Sequence, residues 1–320
     1  MKNKNGVMSV NAIIEKITEQ IQEGIYPGAS LALYRDGQWS EHYLGLADPE
    51  KGEPVVADLV YDLASVSKVV GVATICAFLY AKGELALDRP FKELYPRFAH
   101  EKTTIRELLT HTSGLDPFIP NRDQLDARQL KTALENLQLK EDKSFHYTDV
   151  NFLLLGFWLE DRFRQPLDRL FEELIFTPWK MTETRFGPVE KAVPTVRGVA
   201  SGSVHDPKAR VLGPHAGSAG LFSTVADLER FLEHYLKDDF ARDLSQNFAR
   251  EEGKTRALGW NLEGDWLDHT GYTGTFIMYN RKRQEAVIFL SNRTYDKDER
   301  AQWILDRNSL MDLIKQEFEK

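Results

Sequence analysis

A serine and a lysine three residues apart stand at the start of a long apolar run. The segment reads Ser-Val-Ser-Lys at positions 65–68, and the run continues to Tyr80. Residues three apart share one face of a helix, so the Ser65 hydroxyl and the Lys68 ammonium would be neighbours. A partly desolvated lysine can lose its proton and then take the proton of the serine. The pair predicts acyl transfer, whereas helix capping would account for Ser65 alone.

Two later clusters bring polar side chains to places where the predicted secondary structure changes. Residues 145–149, Phe-His-Tyr-Thr-Asp, come directly before a helical pattern. Here Asp149 could cap the helix, and Tyr147 could be a core aromatic residue. Residues 269–274, His-Thr-Gly-Tyr-Thr-Gly, begin the closing strands, and such a stretch alone indicates a turn. Each cluster alone has a structural explanation, so their order along the chain matters.

Hydrophobic periodicity predicts strands near both ends of the chain and helices between them. Two strand hairpins are predicted, 28–34 with 39–45 and 275–280 with 286–292. Predicted helices cover residues 10–21, 66–82, 104–110, 126–137, 149–163, 170–175, 224–236 and 303–318. Residues 183–214 are predicted to be mostly loop.

This order predicts an α/β fold of the α+β type in one domain with two lobes. Strands from distant segments would form one antiparallel sheet, flanked by the terminal helices. The α/β lobe would comprise about residues 1–64 and 215–320. An all-helical lobe, about residues 65–214, would be inserted between the strands, and the catalytic cleft would lie where the lobes meet.

Composition narrows the classes of partner. The formal net charge of −8 and the lack of a basic block argue against nucleic acid. Cys76 is the only cysteine, so no disulfide forms within the chain. His205 and Asp206 lack a third ligand at a suitable spacing, so no metal site is expected. No export signal and no membrane span of about 18 apolar residues are recognised, which predicts a cytoplasmic protein.

In order, the three clusters resemble the motifs of the serine β-lactamase and penicillin-binding protein superfamily. Its S-x-x-K motif corresponds to Ser65–Lys68, and the Y-x-N motif of its class C members corresponds to residues 147–149. The H-T-G of some relatives, in place of K-T-G, corresponds to residues 269–271. Further similar segments are Leu-Leu-Thr-His-Thr-Ser-Gly-Leu at 108–115, Val-His-Asp at 204–206 and Ala-Gly-Leu-Phe-Ser at 219–223. The resemblance covers about residues 25–295.

The resemblance implies a β-lactamase/transpeptidase-like fold and a serine hydrolase that needs no cofactor. Ser65 would be the nucleophile that forms an acyl-enzyme, and Lys68 would be its proton partner. Tyr147 would shuttle a proton to the leaving group and activate the deacylating water. The backbone N–H groups of Ser65 and Tyr272 would form the oxyanion hole.

Four other residues of these motifs would contact the substrate. They are Asp149, His269, Thr270 and Gly271. Outside the motifs proper, His111 is expected to be a structural hydrogen-bonding residue rather than a reacting one.

Two departures from the usual motifs bear on the substrate. His269 replaces a lysine, and an ordinary histidine is mostly uncharged at neutral pH. Asp149 replaces an asparagine, so a group that could donate to a substrate carbonyl becomes one that only accepts. If Asp149 faces the site, it should repel carboxylate-bearing substrates and favour protonated Lys68. The alternative is that Asp149 only caps its helix.

These departures favour a carboxylesterase over a β-lactamase, a D-Ala-D-Ala carboxypeptidase or a D-aminopeptidase. The substrate would be a small ester, amide or β-lactam. A non-catalytic penicillin-recognising binding or sensor protein is the alternative from another class. Retention of Ser65, Lys68 and Tyr147 together argues against that alternative. The sequence leaves the oligomeric state open.

Overall fold

The computed structural model of the protein describes residues 10–250 and 254–320. Residues 1–9, to which the expectation about an export signal refers, lie outside this part. Ten strands are found in the described residues: β1 Gly28–Arg35, β2 Gln38–Asp48, β3 Glu53–Pro54, β4 Tyr61–Asp62, β5 Arg185–Phe186, β6 Leu221–Ser223, β7 Asn261–Glu263, β8 Trp266–Thr270, β9 Phe276–Asn280 and β10 Glu285–Ser291. Both predicted hairpins, β1–β2 and β9–β10, are confirmed.

The α-helices alternate with 3-10 and π segments. The α-helices of the described residues are α1 Val10–Gln22, α2 Thr74–Ala81, α3 Phe91–Leu94, α4 Ile105–Thr110, α5 Ala127–Glu135, α6 Val150–Phe163, α7 Leu167–Phe171, α8 Pro207–Leu212, α9 Val225–Lys237 and α10 Arg300–Phe318. The 3-10 segments are Ala64–Val66, Arg122–Gln124, Gly213–His215 and Asp239–Ala241, and the π segments are Val69–Ala73 and Glu172–Phe176.

The strands form one large and one small antiparallel sheet. The large sheet has the order β3-β2-β1-β10-β9-β8-β7, so strands from opposite ends of the chain pair at its centre. In that central pair, Leu31 of β1 lies opposite Phe289 of β10. The small sheet, β4-β6-β5, lies next to the segment that carries Ser65. The predicted antiparallel sheet is therefore confirmed.

Alternation along β1 sends side chains into two separate cores. Leu31 and Leu33 belong to the cluster beneath the terminal helices, with Ile17 of α1 and Ile314 of α10. Ala32 points the other way into the main core, which α9 and the helices of the inserted lobe complete. Both faces of the sheet are thus covered, and β1 is buried from Gly28 to Tyr34 because successive side chains point to opposite covered faces.

The Ser65 segment begins the apolar core of the inserted lobe. From Ala64 to Ala81 the chain forms a 3-10 turn, a π segment and α2, and these residues are mostly buried. This 18-residue window has a mean hydropathy of 1.6 and is 78% buried inside the protein. The expectation that no segment approaches the apolar length of a membrane span is wrong for this one. Its apolarity matches its place in the core.

The inserted lobe differs from the prediction in one segment. Residues 183–214 contain β5 and α8 in addition to loop, so the lobe is mainly rather than entirely helical. The short α8 begins where the side chain of Asp206 accepts a hydrogen bond from the Ala209 N–H, with Pro207 in the first turn. Such a short element has too few residues to show a periodic pattern, so the sequence alone does not predict it.

Candidate active site

Ser65 lies in a turn that is held by the buried carboxylate of Asp62 at the end of β4. The Asp62 carboxylate accepts hydrogen bonds from the N–H groups of Ala64 and His205, each at 2.8 Å. Ala64 has a φ of +44°, a left-handed conformation that is uncommon for a residue with a side chain. Burial raises the pKa of Asp62 to about 6, although the two backbone hydrogen bonds act in the opposite direction. The turn leaves Ser65 partly exposed at the cleft.

Lys68 is fully buried, and its ammonium group uses all three of its N–H donors. Its Nζ atom donates to Ser65 Oγ at 2.8 Å, to Asp149 Oδ1 at 2.7 Å and to the Ser218 carbonyl at 2.9 Å. Burial by itself would lower the pKa of Lys68, but the charge of Asp149 outweighs it and the pKa is raised. The expectation that desolvation frees Lys68 of its proton is therefore wrong. A charged Lys68 can stabilise the Ser65 alkoxide but cannot accept the proton of Ser65.

Asp149 connects Lys68 to a second lysine, Lys208 on α8. Asp149 Oδ2 lies 3.1 Å from Lys208 Nζ, while its Oδ1 accepts from Lys68. Burial by itself would raise the pKa of Asp149, but the two lysines outweigh it and the pKa is lowered. Asp149 begins α6 without a side-chain capping bond, so the alternative that it only caps the helix is wrong. No sequence signal pointed to Lys208.

Tyr147 lies above this ionic group at the edge of the cleft. The Lys68 Nζ atom lies 5.2 Å from the centre of the Tyr147 ring. The same ring has the His111 ring 4.7 Å away and the His269 ring 6.1 Å away, measured between centroids. Tyr147 is 37% exposed, so solvent and substrate can reach it. The structure thus brings Ser65, Lys68 and Tyr147 together.

A buried hydrogen-bond network holds the segment that carries Tyr147. His111 Nδ1 accepts from the Thr148 N–H at 3.4 Å and lies 3.1 Å from Asn151 Nδ2. The Ser113 hydroxyl donates to Asn151 Oδ1 at 2.7 Å. Burial, followed by the nearby cations, lowers the pKa of His111 well below its usual value, which fits a neutral ring with an accepting Nδ1. These contacts support the structural role expected for His111.

The opposite wall of the cleft is the end of β8. His269 is 2% exposed, and burial, followed by the charges of Lys68 and Arg256, lowers its pKa well below the usual value. His269 is therefore neutral at pH 7, as expected. Thr270, Gly271 and Tyr272 follow it along the cleft wall.

Side chains beyond Gly271 connect the end of β8 to the Ser65 turn. Thr273 and Thr275 donate to the carbonyl groups of Asp62 and Leu63, at 2.9 and 3.2 Å. The Tyr272 N–H makes no hydrogen bond to any residue of 10–250 or 254–320. This arrangement leaves the Tyr272 N–H available for the oxyanion role that the motifs imply.

The cleft has a volume of about 950 Å³ and an excess of positive charge. It is lined by every predicted site residue except the buried Lys68. Its cations are Arg122, Lys208, Arg210, Lys254, Arg293, Arg300 and Arg307, and its only carboxylates among the described residues are Asp149 and Asp206. Asp149 is therefore not an isolated anion, because two lysines contact it and further cations line the same cleft.

The His205-Asp206 pair has structural contacts. Asp206 Oδ1 accepts from the Ala209 N–H at 2.8 Å, and the His205 N–H donates to Asp62. Among residues 10–250 and 254–320, no three His, Cys, Asp or Glu side chains lie close enough to hold a metal ion.

Comparison with known proteins places this site in a family. Residues 13–310 match the Beta-lactamase protein family. A protein named "Putative D-alanyl-D-alanine carboxypeptidase" from Escherichia coli (strain K12) is 28% identical, covering 90% of this chain and 83% of its own length. Among solved structures, a β-lactamase/D-alanine carboxypeptidase from Pseudomonas syringae superimposes with a TM-score of 0.74 at 19% identity, over 93% of this chain and 98% of that one.

A second solved structure has a similar fold. EstCE1, described as a hydrolase with promiscuous acyltransferase activity, has a TM-score of 0.76 at 19% identity, over 94% of this chain and 97% of that one. At these identities the superpositions show the fold, while the family match covers nearly the whole chain. The ordered motifs, their meeting in one cleft and this match lead to one conclusion: the chain belongs to the Beta-lactamase family.

Proposed function

We propose that this Beta-lactamase-family serine hydrolase is a carboxylesterase that works through an acyl-enzyme on Ser65. The observation that carries the proposal is the 2.8 Å hydrogen bond from Lys68 Nζ to Ser65 Oγ, made by a lysine whose pKa is raised by the charge of Asp149. A charged lysine stabilises an alkoxide but gives little help in taking and returning protons. Esters suit such a site better than amides, because an amine must be protonated before it leaves and an alcohol needs less assistance.

The proposed reaction has two balanced halves. In acylation, Ser65 Oγ attacks the ester carbonyl carbon, and its proton is relayed through the Tyr147 hydroxyl, which takes up one proton as it gives up its own. The Lys68 ammonium and the N–H groups of Ser65 and Tyr272 stabilise the negative charge. The proton that Tyr147 gives up passes to the leaving alcohol as the C–O bond breaks. In deacylation, water attacks the acyl group and passes a proton to Tyr147, which returns it to Ser65 as the acid departs.

A D-alanyl-D-alanine carboxypeptidase activity is the second candidate. The similar Escherichia coli protein carries that name. Among the described residues, the cleft cations Arg210, Lys254, Arg300 and Arg307 have no carboxylate partner. Unpaired cations in a cleft favour an anionic ligand such as the C-terminal carboxylate of a peptide. β-Lactams also carry a carboxylate and form a third class to be tested.

The test uses the purified protein and Ser65→Ala. A fluorophosphonate probe should label the wild type and not the variant, whereas a protein that only binds its ligand should leave both unlabelled. Among substrates, kcat/KM should be highest for short 4-nitrophenyl esters. A higher value for a D-alanyl-D-alanine peptide would favour the second candidate, and a higher value for a chromogenic cephalosporin would favour a β-lactamase.

A further inference from the structure

Lys208 contacts the same carboxylate as Lys68 but faces the cleft. Its Nζ atom lies 3.1 Å from Asp149 Oδ2, and its side chain is 14% exposed, whereas Lys68 is fully buried. The Asp206 carboxylate lies 3.9 Å from the same Nζ atom, too far for a hydrogen bond. Lys208 therefore keeps N–H donors that can reach a ligand in the cleft.

The two oxygens of Asp149 have different partners, and these partners determine which hydrogen-bond donor the cleft presents to a substrate. Oδ1 is used by Lys68 and Oδ2 by Lys208, so Asp149 has no donor to offer and both its oxygens are engaged. An amide at this position would present a donor to the cleft. In this chain the donor that contacts Asp149 and also lines the cleft is the ammonium of Lys208, which differs from an amide because it carries a positive charge.

The charges around Lys208 hold it in place without removing its attraction for an anion. Lys68, Lys208, Asp149 and Asp206 together have no net charge, so the lysine is stable at the cleft wall. Arg210, which has no carboxylate partner in the part of the chain that the structure describes, follows two residues later, and Arg300 and Arg307 lie along the same cleft on α10. An anionic group that enters the cleft is attracted by these arginines and meets Lys208, which lines the same cleft as Ser65.

We propose that Lys208 is a specificity residue that binds a carboxylate carried by the substrate, on either the acyl or the leaving side of the scissile bond. This proposal rests on the proposed ester hydrolysis at Ser65 and names the class of ester that the cleft prefers.

The experiment uses two pairs of esters that differ by a carboxylate in place of a methyl group. On the acyl side they are mono-4-nitrophenyl adipate and 4-nitrophenyl hexanoate. On the leaving side they are 4-acetoxybenzoate and 4-tolyl acetate. In at least one pair, Lys208→Met should lower kcat/KM of the carboxylate member about ten- to a hundredfold more than that of its partner. A merely structural role would lower both members equally.

Two further variants separate direct contact from general charge and from misfolding. Lys208→Arg keeps the cation and should retain most of the preference for the carboxylate member. Arg210→Met also removes one cleft cation, but Arg210 does not contact Asp149, so the ratio within a pair should change less than about threefold. Thermal unfolding of each variant shows that it is folded.

The proposal is overturned if Lys208→Met changes both members of both pairs equally, or if Arg210→Met changes a ratio as much. If the wild type labels with a fluorophosphonate but hydrolyses no ester, the esterase proposal fails while the Lys208 proposal stays testable. In that case the labelling rates of two fluorophosphonates are compared, one with a carboxylate tail and one with an alkyl tail. The ratio of these two rates then replaces the ratio of kcat/KM values within a pair of esters. If Lys208→Met changes both labelling rates equally, the Lys208 proposal is overturned in this experiment as well.

Discussion

Lys68 and Asp149 form an ion pair at the base of the cleft, with Nζ and Oδ1 2.7 Å apart. Lys68 is completely buried, and a buried ammonium without a counter-charge would release its proton rather than remain charged. Asp149 supplies the counter-charge and keeps the pKa of Lys68 above its ordinary value. In this chain the lysine beside the nucleophile is therefore charged at neutral pH, and the proton of Ser65 needs another acceptor.

The first prediction is that Asp149→Asn makes Lys68 easier to deprotonate. An uncharged amide cannot offset the burial of Lys68, so the pKa of the lysine should fall. Because the charged form supports catalysis, the alkaline limb of the kcat/KM profile should move to lower pH by at least about one unit. The measurement is kcat/KM for 4-nitrophenyl hexanoate against pH, corrected for spontaneous hydrolysis.

Asp206→Asn is the matched control for this prediction. Asp206 lies 3.9 Å from Lys208 and caps α8 through the Ala209 N–H, a role that asparagine fills equally well. Since no contact joins Asp206 to Lys68, its replacement should leave the alkaline limb in place. A profile of Asp149→Asn that overlays the wild type would show that Asp149 does not set the charge of Lys68.

The second prediction concerns the close approach of Gly271 to the Ser65 turn. A Cβ atom on residue 271 would lie 2.1 Å from Thr275 Oγ1 and 2.7 Å from the Leu63 carbonyl oxygen. Gly271→Ala should therefore push the end of β8 away from the turn and move the Tyr272 N–H away from Ser65. A displacement near 1 Å in an active site costs about a hundredfold in rate, so kcat/KM for the hexanoate ester should fall by about that factor.

Gly264→Ala provides the comparison at the other end of β8. Gly264 lies in the turn between β7 and β8 with a φ of +59°, and a Cβ there would meet nothing within 4 Å. Its replacement should destabilise the protein by about 1 kcal/mol through backbone strain and leave kcat/KM unchanged. Wild-type activity in Gly271→Ala would show that the close approach does not position the oxyanion hole.

Much of the fold, and the identity of the nucleophile, could be predicted from local features of the sequence. The three-residue spacing of Ser65 and Lys68 is decided within one turn, so it could be predicted without tertiary information. Alternation along β1 and helical spacing along α1 are likewise local, and both elements are found where predicted. The order of the three motifs resembles that of a known family, and this resemblance predicted which residues meet in the cleft.

The charge state of the site depends on contacts that no local pattern shows. Lys208 lies on a short helix within a segment predicted as loop, and only the tertiary fold brings it to Asp149. Because the sequence does not show that Lys208 contacts Asp149, it predicted that Asp149 is an uncompensated anion and that the cleft repels carboxylate-bearing substrates. The pKa of Lys68 likewise depends on a partner from another helix, so spacing alone predicted the wrong direction.

The third prediction links Asp62 to the pH dependence of stability. The pKa of this buried carboxyl is raised to about 6, above the value near 3.9 expected in the unfolded chain. Between these values the unfolded chain loses the proton while the folded protein keeps it, so unfolding becomes more favourable as pH rises. From pH 4 to pH 7 the contribution of Asp62 to the free energy of unfolding should fall by roughly 2 kcal/mol.

Asp62→Asn isolates this contribution because it removes the titrating proton. Its side-chain oxygen can still accept from the Ala64 N–H, while the bond from the His205 N–H is lost at every pH. The free energies of unfolding of both proteins are measured by urea denaturation from pH 4 to pH 7. Their difference, wild type minus variant, should decrease as pH rises, since only the wild type must ionise a buried carboxyl. A difference that stays constant or increases would mean that the Asp62 carboxyl is already ionised at pH 4 in the folded protein.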